Sequence, residues 1–284
     1  MDVKPAADWK GLAGKLRGRV GVFLGMSDTG KTTLIRYLAG RLLSWGETLA
    51  LVDSDIGQSS VGPPGAVSMR TCRRPGDLER AGPERMVFVG TANPARSIPA
   101  VVDAARRMVE EARAAGAGTV LVDTTGLVRG GLGKALKLAK VRAIGPDAVV
   151  ALERERGELE HIISSLEGLE GVRVFRLRAS RHARKRTATE RKRNREARLK
   201  RYLAPSRTLR LKAGRLEVLS GGGEGVDLFS AEPGTVVGLN RGRETLALGV
   251  YAGRSGGRAL IRTPLKDARG LRKVIVGELK VDYA

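Results

Sequence analysis

Cysteine occurs once, at Cys72, in a chain of 284 residues. A lone thiol cannot close an internal disulfide, which fits a reducing compartment and predicts a cytoplasmic protein. Nothing around Cys72 in the sequence suggests a catalytic setting, so it reads as a small core filler. No apolar run approaches the roughly 20 residues a spanning helix needs, which excludes a helical membrane anchor within this sequence. No leader pattern opens the chain either; the first apolar run, Val20–Leu24, reads as a core strand. Acidic residues are the other shortage. Asp and Glu number 30 against 52 Lys and Arg, a net charge of +22. That excess exceeds the needs of solubility and attracts polyanions, a phosphate backbone being the commonest.

What is present starts with Gly25-Met26-Ser27-Asp28-Thr29-Gly30-Lys31-Thr32. It follows the apolar run and leads into a helix-like segment from Thr33 to Leu43, the strand–loop–helix setting of a G-x-x-x-x-G-K-[ST] phosphate loop. Gly25, Ser27, Asp28, Thr29 and Gly30 would curl backbone N–H groups around phosphate oxygens, and Lys31, Thr32 and Thr33 open the helix whose dipole favours an anion. Lys31 is expected to reach the outer phosphates and Thr32 to place its hydroxyl on Mg²⁺. The chain is expected to bind a nucleoside triphosphate. A guanine reader of the N-K-x-D or T-K-x-D type is missing, and Asn194-Arg195-Glu196 does not substitute for one. A switch GTPase is therefore the weaker reading.

Up to about residue 180 strand-like runs alternate with helix-like segments, which predicts an α/β fold with a parallel sheet covered by helices on both faces. Ligands on such sheets bind beyond the carboxyl ends of the strands. After Pro205 short alternating runs separated by glycine-rich turns predict a small antiparallel β domain. The expected domains are 1–204, including a basic segment at about 180–204, and 205–284.

Two aspartates compete as magnesium partner. Asp53 ends the apolar strand Leu49–Val52, with Asp55 two residues on and aimed the same way if the strand continues. Asp123 ends Val120–Val122 and opens Asp123-Thr124-Thr125-Gly126, a turn that resembles the γ-phosphate sensor of GTPases. The segment from Ser180 to Tyr202 carries eleven Lys and Arg against only Glu190 and Glu196. Like charges at that density need an anion. Arg191 and Arg195, four apart, would present two guanidinium forks on one helix face.

Taken together these residues resemble the polynucleotide 5′-hydroxyl kinases of RNA processing and ribosome biogenesis, archaeal relatives included. The likeness rests on Gly25–Thr33, on Asp53-Ser54-Asp55-Ile56-Gly57-Gln58 with Gly62-Pro63-Pro64, and on Phe88-Val89-Gly90 with Asn93-Pro94. It continues through Asp123-Thr124-Thr125-Gly126 to the arginine-rich segment ending in Tyr202-Leu203. The resemblance implies transfer of the γ-phosphate of ATP, with Mg²⁺, to the 5′-hydroxyl of RNA or DNA, single- or double-stranded, alongside RNA-processing proteins. It implies Lys31 and Thr32 on the phosphates and metal, Asp53 as metal support and Asp55 as the base for the hydroxyl. Gln58 and the Thr124-Thr125-Gly126 turn are implied as contacts for the terminal nucleotide, and Arg186, Arg191 and Arg195 as arginines of a mobile lid. Many members carry tryptophan after the Thr-x-Gly turn, where this chain has Leu127. The alternatives are an ATP-binding scaffold without transfer activity, a GTPase-like regulator, and a basic RNA-binding module with a vestigial nucleotide site.

Overall fold

The computed structural model describes residues 7–180 and 183–282; Arg181 of the basic segment lies outside them. The first sheet contains β1 (Val20–Gly25), β2 (Leu49–Ser54), β3 (Ala66–Cys72), β4 (Arg85–Phe88), β5 (Thr119–Thr124), β6 (Ala148–Glu153) and β7 (Arg173–Arg178), in the order β4-β3-β2-β5-β1-β6-β7. From β2 to β7 every pair is parallel, whereas β3 and β4 add an antiparallel edge. The Val-, Leu- and Ala-rich runs of β1, β2, β5 and β6 are buried at every position, as strands covered on both faces require. Helices α1 (Leu12–Leu16) and α2 (Lys31–Ser44) pack on one face. On the other lie α3 (Ile98–Ala114), α4 (Gly130–Ile144) and α5 (Glu160–Leu166).

The sequence pattern gives no strand at β3, because Ser68, Arg70 and Thr71 break its apolar run. All three are buried in the structure. The Arg70 guanidinium is satisfied by backbone, donating to Gly82 O at 2.7 Å and to Val61 O at 3.4 Å.

The second sheet contains β8 (Arg207–Leu211), β9 (Glu217–Ser220), β10 (Thr235–Arg241), β11 (Glu244–Ser255), β12 (Arg258–Thr263) and β13 (Lys273–Lys280), ordered β8-β12-β11-β10-β13-β9. It is antiparallel apart from the β13–β9 pair. It docks on edge strand β4. The Phe88 ring occupies space that Gly238 and Gly277 leave open, since a Cβ at those positions would lie 2.8 and 2.6 Å from its atoms. The Phe88 N–H donates to Thr245 Oγ1 at 2.9 Å.

Helix α6 (Ala188–Leu203) holds most of the basic segment. Thr187 caps it, accepting from the Glu190 N–H at 3.1 Å, while the Glu190 carboxylate accepts from the Thr187 N–H at 2.7 Å, a capping box. Its last turns bury Leu199 and Leu203 among Phe88, Val236, Leu248 and Val250. The Tyr202 hydroxyl accepts from the Leu248 N–H at 3.1 Å. The helix is thus anchored by its C-terminal half, and its N-terminal half lies over the carboxyl ends of the first sheet. Among the described residues no helix is long and apolar enough to cross a membrane.

Candidate active site

The loop from Gly25 to Gly30 joins β1 to α2. A Cβ on Gly25 would stand 2.7 Å from Leu152 O and 2.9 Å from Thr29 Oγ1, so only glycine lets the loop leave the strand here. Gly30 begins α2 at φ 92 with no side chain capping the helix, which leaves the first-turn N–H groups facing the loop's concavity. Thr29 is buried and donates to Met26 O at 3.0 Å, tying the loop to itself. Gly126 of the β5 turn fits against the loop's outer side; a Cβ there would come within 2.2 Å of Ser27 N. Gly126 is thereby a packing partner of the phosphate loop.

Lys31 is 6% exposed and donates to Gly25 O at 3.0 Å and Met26 O at 2.8 Å. Burial lowers its pKa, an effect opposed by the Asp123, Asp55 and Asp28 charges. The Thr32 hydroxyl donates to Asp123 Oδ2 at 2.5 Å. Burial, together with the Asp53 charge, pushes the Asp123 carboxyl up to about 7, against the pull of Lys31 and Thr32.

The carboxylate facing Thr32 thus belongs to Asp123. Asp53, the sequence expectation for metal support, spends its carboxylate on the loop that follows it. Its Oδ1 accepts from the Asp55 N–H at 3.0 Å. Its Oδ2 accepts from Ser59 Oγ at 3.2 Å, Ser60 Oγ at 3.0 Å, the Val61 N–H at 3.0 Å and the Ser60 N–H. Burial raises its pKa in spite of these bonds. The two strand ends are equivalent in sequence, and the register sets Asp53 beside Asp123; the contact made by α2 separates their roles.

Asp123 Oδ1 is buried and has no hydrogen-bond partner. Among the described residues no group of three or more His, Cys, Asp or Glu could hold a metal by itself. One hydroxyl and one carboxylate with a free lone pair suit Mg²⁺, which takes few protein ligands and completes its shell with substrate phosphates and water. The donor set fits such an ion.

A cavity of ≈ 600 Å³ opens above the loop, lined among others by Lys31, Thr32, Thr33, Asp55, Gln58 and Arg191. Asp55 Oδ1 accepts from the N–H groups of Gly57 at 3.2 Å and Gln58 at 3.1 Å, which fixes its direction. Gln58 Nε2 donates to Arg191 O at 3.1 Å, bridging to the lid helix. Arg186 Nε donates to Asp28 Oδ1 at 2.7 Å, and Arg191 lies 3.4 Å from Oδ2. Burial pushes the Asp28 carboxyl up, but the bonds and charges of Arg186, with Arg191, hold it below the usual value.

Three of the expected residues, Thr124, Thr125 and Arg195, lie outside the cavity lining. Arg195 does not join Arg191 at the cavity; it lines a separate cleft with Leu199, Pro233 and Lys280, because its face of α6 turns toward the second sheet. Thr124 is fully buried and donates to Phe23 O at 2.6 Å, so its hydroxyl braces the sheet. Thr125 is 7% exposed, and its hydroxyl accepts from the Leu127 N–H at 3.4 Å. Leu127, at the position of the implied tryptophan, packs against the core below the turn.

Other residues at the site carry no sequence motif. Arg154, the residue after β6, donates to Asp28 O at 2.6 Å, bracing the phosphate loop. Arg198 donates to Ser59 O in the Asp53 loop. Lys137 and Lys140 of α4 lie fully buried beneath the aspartates. The signal that would find these lysines is positional, because they share the buried stripe of Gly133, Leu136, Val141 and Ile144.

The family model described as the mRNA cleavage and polyadenylation factor CLP1 P-loop matches residues 25–204. A Pyrococcus horikoshii protein named polyribonucleotide 5′-hydroxyl-kinase is 35% identical over 213 residues, covering 75% of this chain and 56% of that protein. A Methanocaldococcus jannaschii protein of the same name is 35% identical over 187 residues, covering 66% of this chain and 50% of the relative. The chain thus spans about half the length of the curated relatives it matches. A solved complex of wild-type Clp1p with Pcf11p aligns with TM-score 0.77 at 12% identity, covering 97% of this chain and 79% of that one, a likeness of fold.

Proposed function

The chain belongs to the family of the mRNA cleavage and polyadenylation factor CLP1 P-loop, and from that premise we propose that it phosphorylates 5′-hydroxyl ends of RNA with ATP. The observation that carries the reading is the shared cavity. It brings the phosphate-loop residues Lys31 and Thr32, the oriented carboxylate of Asp55 and the lid residue Arg191 around one space. The names of the archaeal relatives support the same substrate and reaction.

Phosphoryl transfer asks for alignment and charge neutralisation more than for covalent help. In the proposed reaction the 5′-oxygen of the strand bonds to the γ-phosphorus, and the bond from that phosphorus to the bridging oxygen of ADP breaks. Asp55, held by two backbone N–H groups, orients the 5′-hydroxyl and takes its proton late in the transfer, since a carboxylate is a weak base at neutral pH. Lys31 turns from its carbonyl partners to the outer phosphates. Arg191 supplies fixed positive charge to the transferring group. Thr32 and Asp123 would hold Mg²⁺, which when bound offsets phosphate charge. Leu127, partly buried against the core, leaves the terminal base without a tryptophan clamp, a contact worth about 1–3 kcal/mol.

Incubation with γ-labelled ATP and paired oligoribonucleotides bearing a 5′-hydroxyl or a 5′-phosphate tests the proposal. Label should enter only the 5′-hydroxyl strand. Hydrolysis of ATP with no labelled strand would instead make the chain an ATP-dependent scaffold.

A further inference from the structure

Two lysine side chains inside the protein stand outside the chemistry just described. Lys137 and Lys140, one turn apart on α4, are both 0% exposed. Lys140 Nζ donates to Ser54 Oγ at 2.7 Å and to Ser54 O at 3.1 Å. The Ser54 hydroxyl in turn donates to Asp123 O at 2.7 Å. Lys137 Nζ donates to Thr124 Oγ1 at 2.9 Å and to Thr125 O. Ser54 stands between Asp53 and Asp55 at the end of β2, and Thr124 and Thr125 follow Asp123 at the end of β5. In the register Ser54 lies beside Thr124. The two lysines therefore grip neighbouring strand ends at the points from which the three aspartates project.

An apolar side chain would fill these positions of the helix stripe at lower desolvation cost. A buried ammonium is costly unless its hydrogen bonds and counter-charge are supplied; Lys140 has both, with Asp55, Asp53 and Asp123 opposing its burial. Burial and the neighbouring Lys140 and Lys31 charges hold the Lys137 pKa well below its usual value, against the pull of Asp55 and Asp123, so its hold on the strand end rests on its hydrogen bonds.

We infer that Lys137 and Lys140 are positioning residues for phosphoryl transfer, fixing the ends of β2 and β5 so that Asp55 and Asp123 stand at a set separation beneath the phosphate loop. The inference rests on the reaction proposed above. Neither lysine touches the cavity, so each acts through the strand end it holds.

The test uses the full chain with Lys137→Met, Lys140→Met and Lys140→Gln, the last keeping a donor for Ser54 should the methionine variant fail to fold. Turnover at saturating RNA and ATP should fall about 10–100-fold, the usual effect of removing the support of a site carboxylate. The KM for ATP should stay within about threefold. Hydrogen exchange should quicken by about tenfold or more at residues 53–58 and 124–127 while β6 and β7 stay protected. Unchanged turnover and exchange would make the lysines inert fillers. A fall in melting temperature with faster exchange throughout the sheet would make them supports of the fold alone. If the unmodified chain labels no RNA, the proposed reaction falls, and local exchange at the two strand ends then decides the positioning role by itself.

Discussion

Arg186 and Asp28 meet at two points across 158 positions of sequence: the guanidinium Nε donates to Oδ1 at 2.7 Å and the backbone N–H to Oδ2 at 3.0 Å. Asp28 sits at φ 61, a left-handed conformation that Asp tolerates and most residues do not. The phosphate loop thereby holds the segment leading into the lid helix through a single buried carboxylate. Asp28→Gly removes that carboxylate and keeps the conformation available. Tryptic cleavage within residues 184–193 of the nucleotide-free protein should quicken by on the order of tenfold, as a locally opened segment does. Cleavage at the unmodified rate would show that Leu199 and Leu203 hold the helix without this contact.

Asp53 and Asp123 should respond differently to loss of charge. Asp53→Asn keeps the oxygen that accepts from the Asp55 N–H but replaces the one that accepts from the Ser60 and Val61 N–H groups and two serine hydroxyls, so it should lower stability by about 1–3 kcal/mol. Asp123→Asn should leave the denaturant midpoint close to that of the unmodified chain and reduce Mg²⁺-dependent turnover by about 10²–10³. Paired urea unfolding curves and magnesium titrations of activity separate the two effects. The reverse pattern would return the metal to Asp53.

The lid arginines divide by face. Arg191→Ala, at the cavity, should lower turnover by on the order of 10³ at saturating RNA and ATP. Arg195→Ala, on the side that lines the second cleft, should keep saturated turnover within about threefold. Equal losses in both variants would show that α6 rotates when substrates bind.

Lys140 makes stability depend on pH in a direction fixed by its surroundings. Burial lowers its pKa from 10.5 to about 8, with Asp55, Asp53 and Asp123 pulling the other way. Between those values the unfolded chain binds the proton that the folded chain has released, so stability rises with pH across this window. Below about 8 both states carry the charge and the burial penalty is present in full. The difference in unfolding free energy between the unmodified chain and Lys140→Met should therefore increase from about pH 8 upward. A flat difference would mean that folded Lys140 keeps its proton throughout.

The phosphate loop is legible in sequence because its chemistry is local: spacing, preceding strand and following helix lie within 25 consecutive positions from Val20 to Ser44. The six strands after Pro205 are legible for the same reason, each bounded by its own turn. Asp123 and Asp53 are a different case. Each ends an apolar strand, and only the packing of α2 against β5 shows which one meets Thr32. Lys137 and Lys140 are hidden because lysine on an amphipathic helix ordinarily marks the solvent side; here the partners are backbone atoms of distant strands. Arg191 and Arg195 show the limit of an i,i+4 rule. They are neighbours on one helix, yet the anchoring of Leu199 and Leu203 turns one toward the loop and the other away.

The fit of Phe88 between Gly238 and Gly277 bears on how the chain is made. During synthesis the seven strands of the first sheet are all available before any residue of the second sheet that meets Phe88. Until then β4, paired only with β3, presents an open edge and an uncovered aromatic ring, the kind of surface through which nascent chains pair with one another. The second sheet thus serves the first as a covering that arrives late, and a ribosome stalled before β10 would display an unprotected sheet edge.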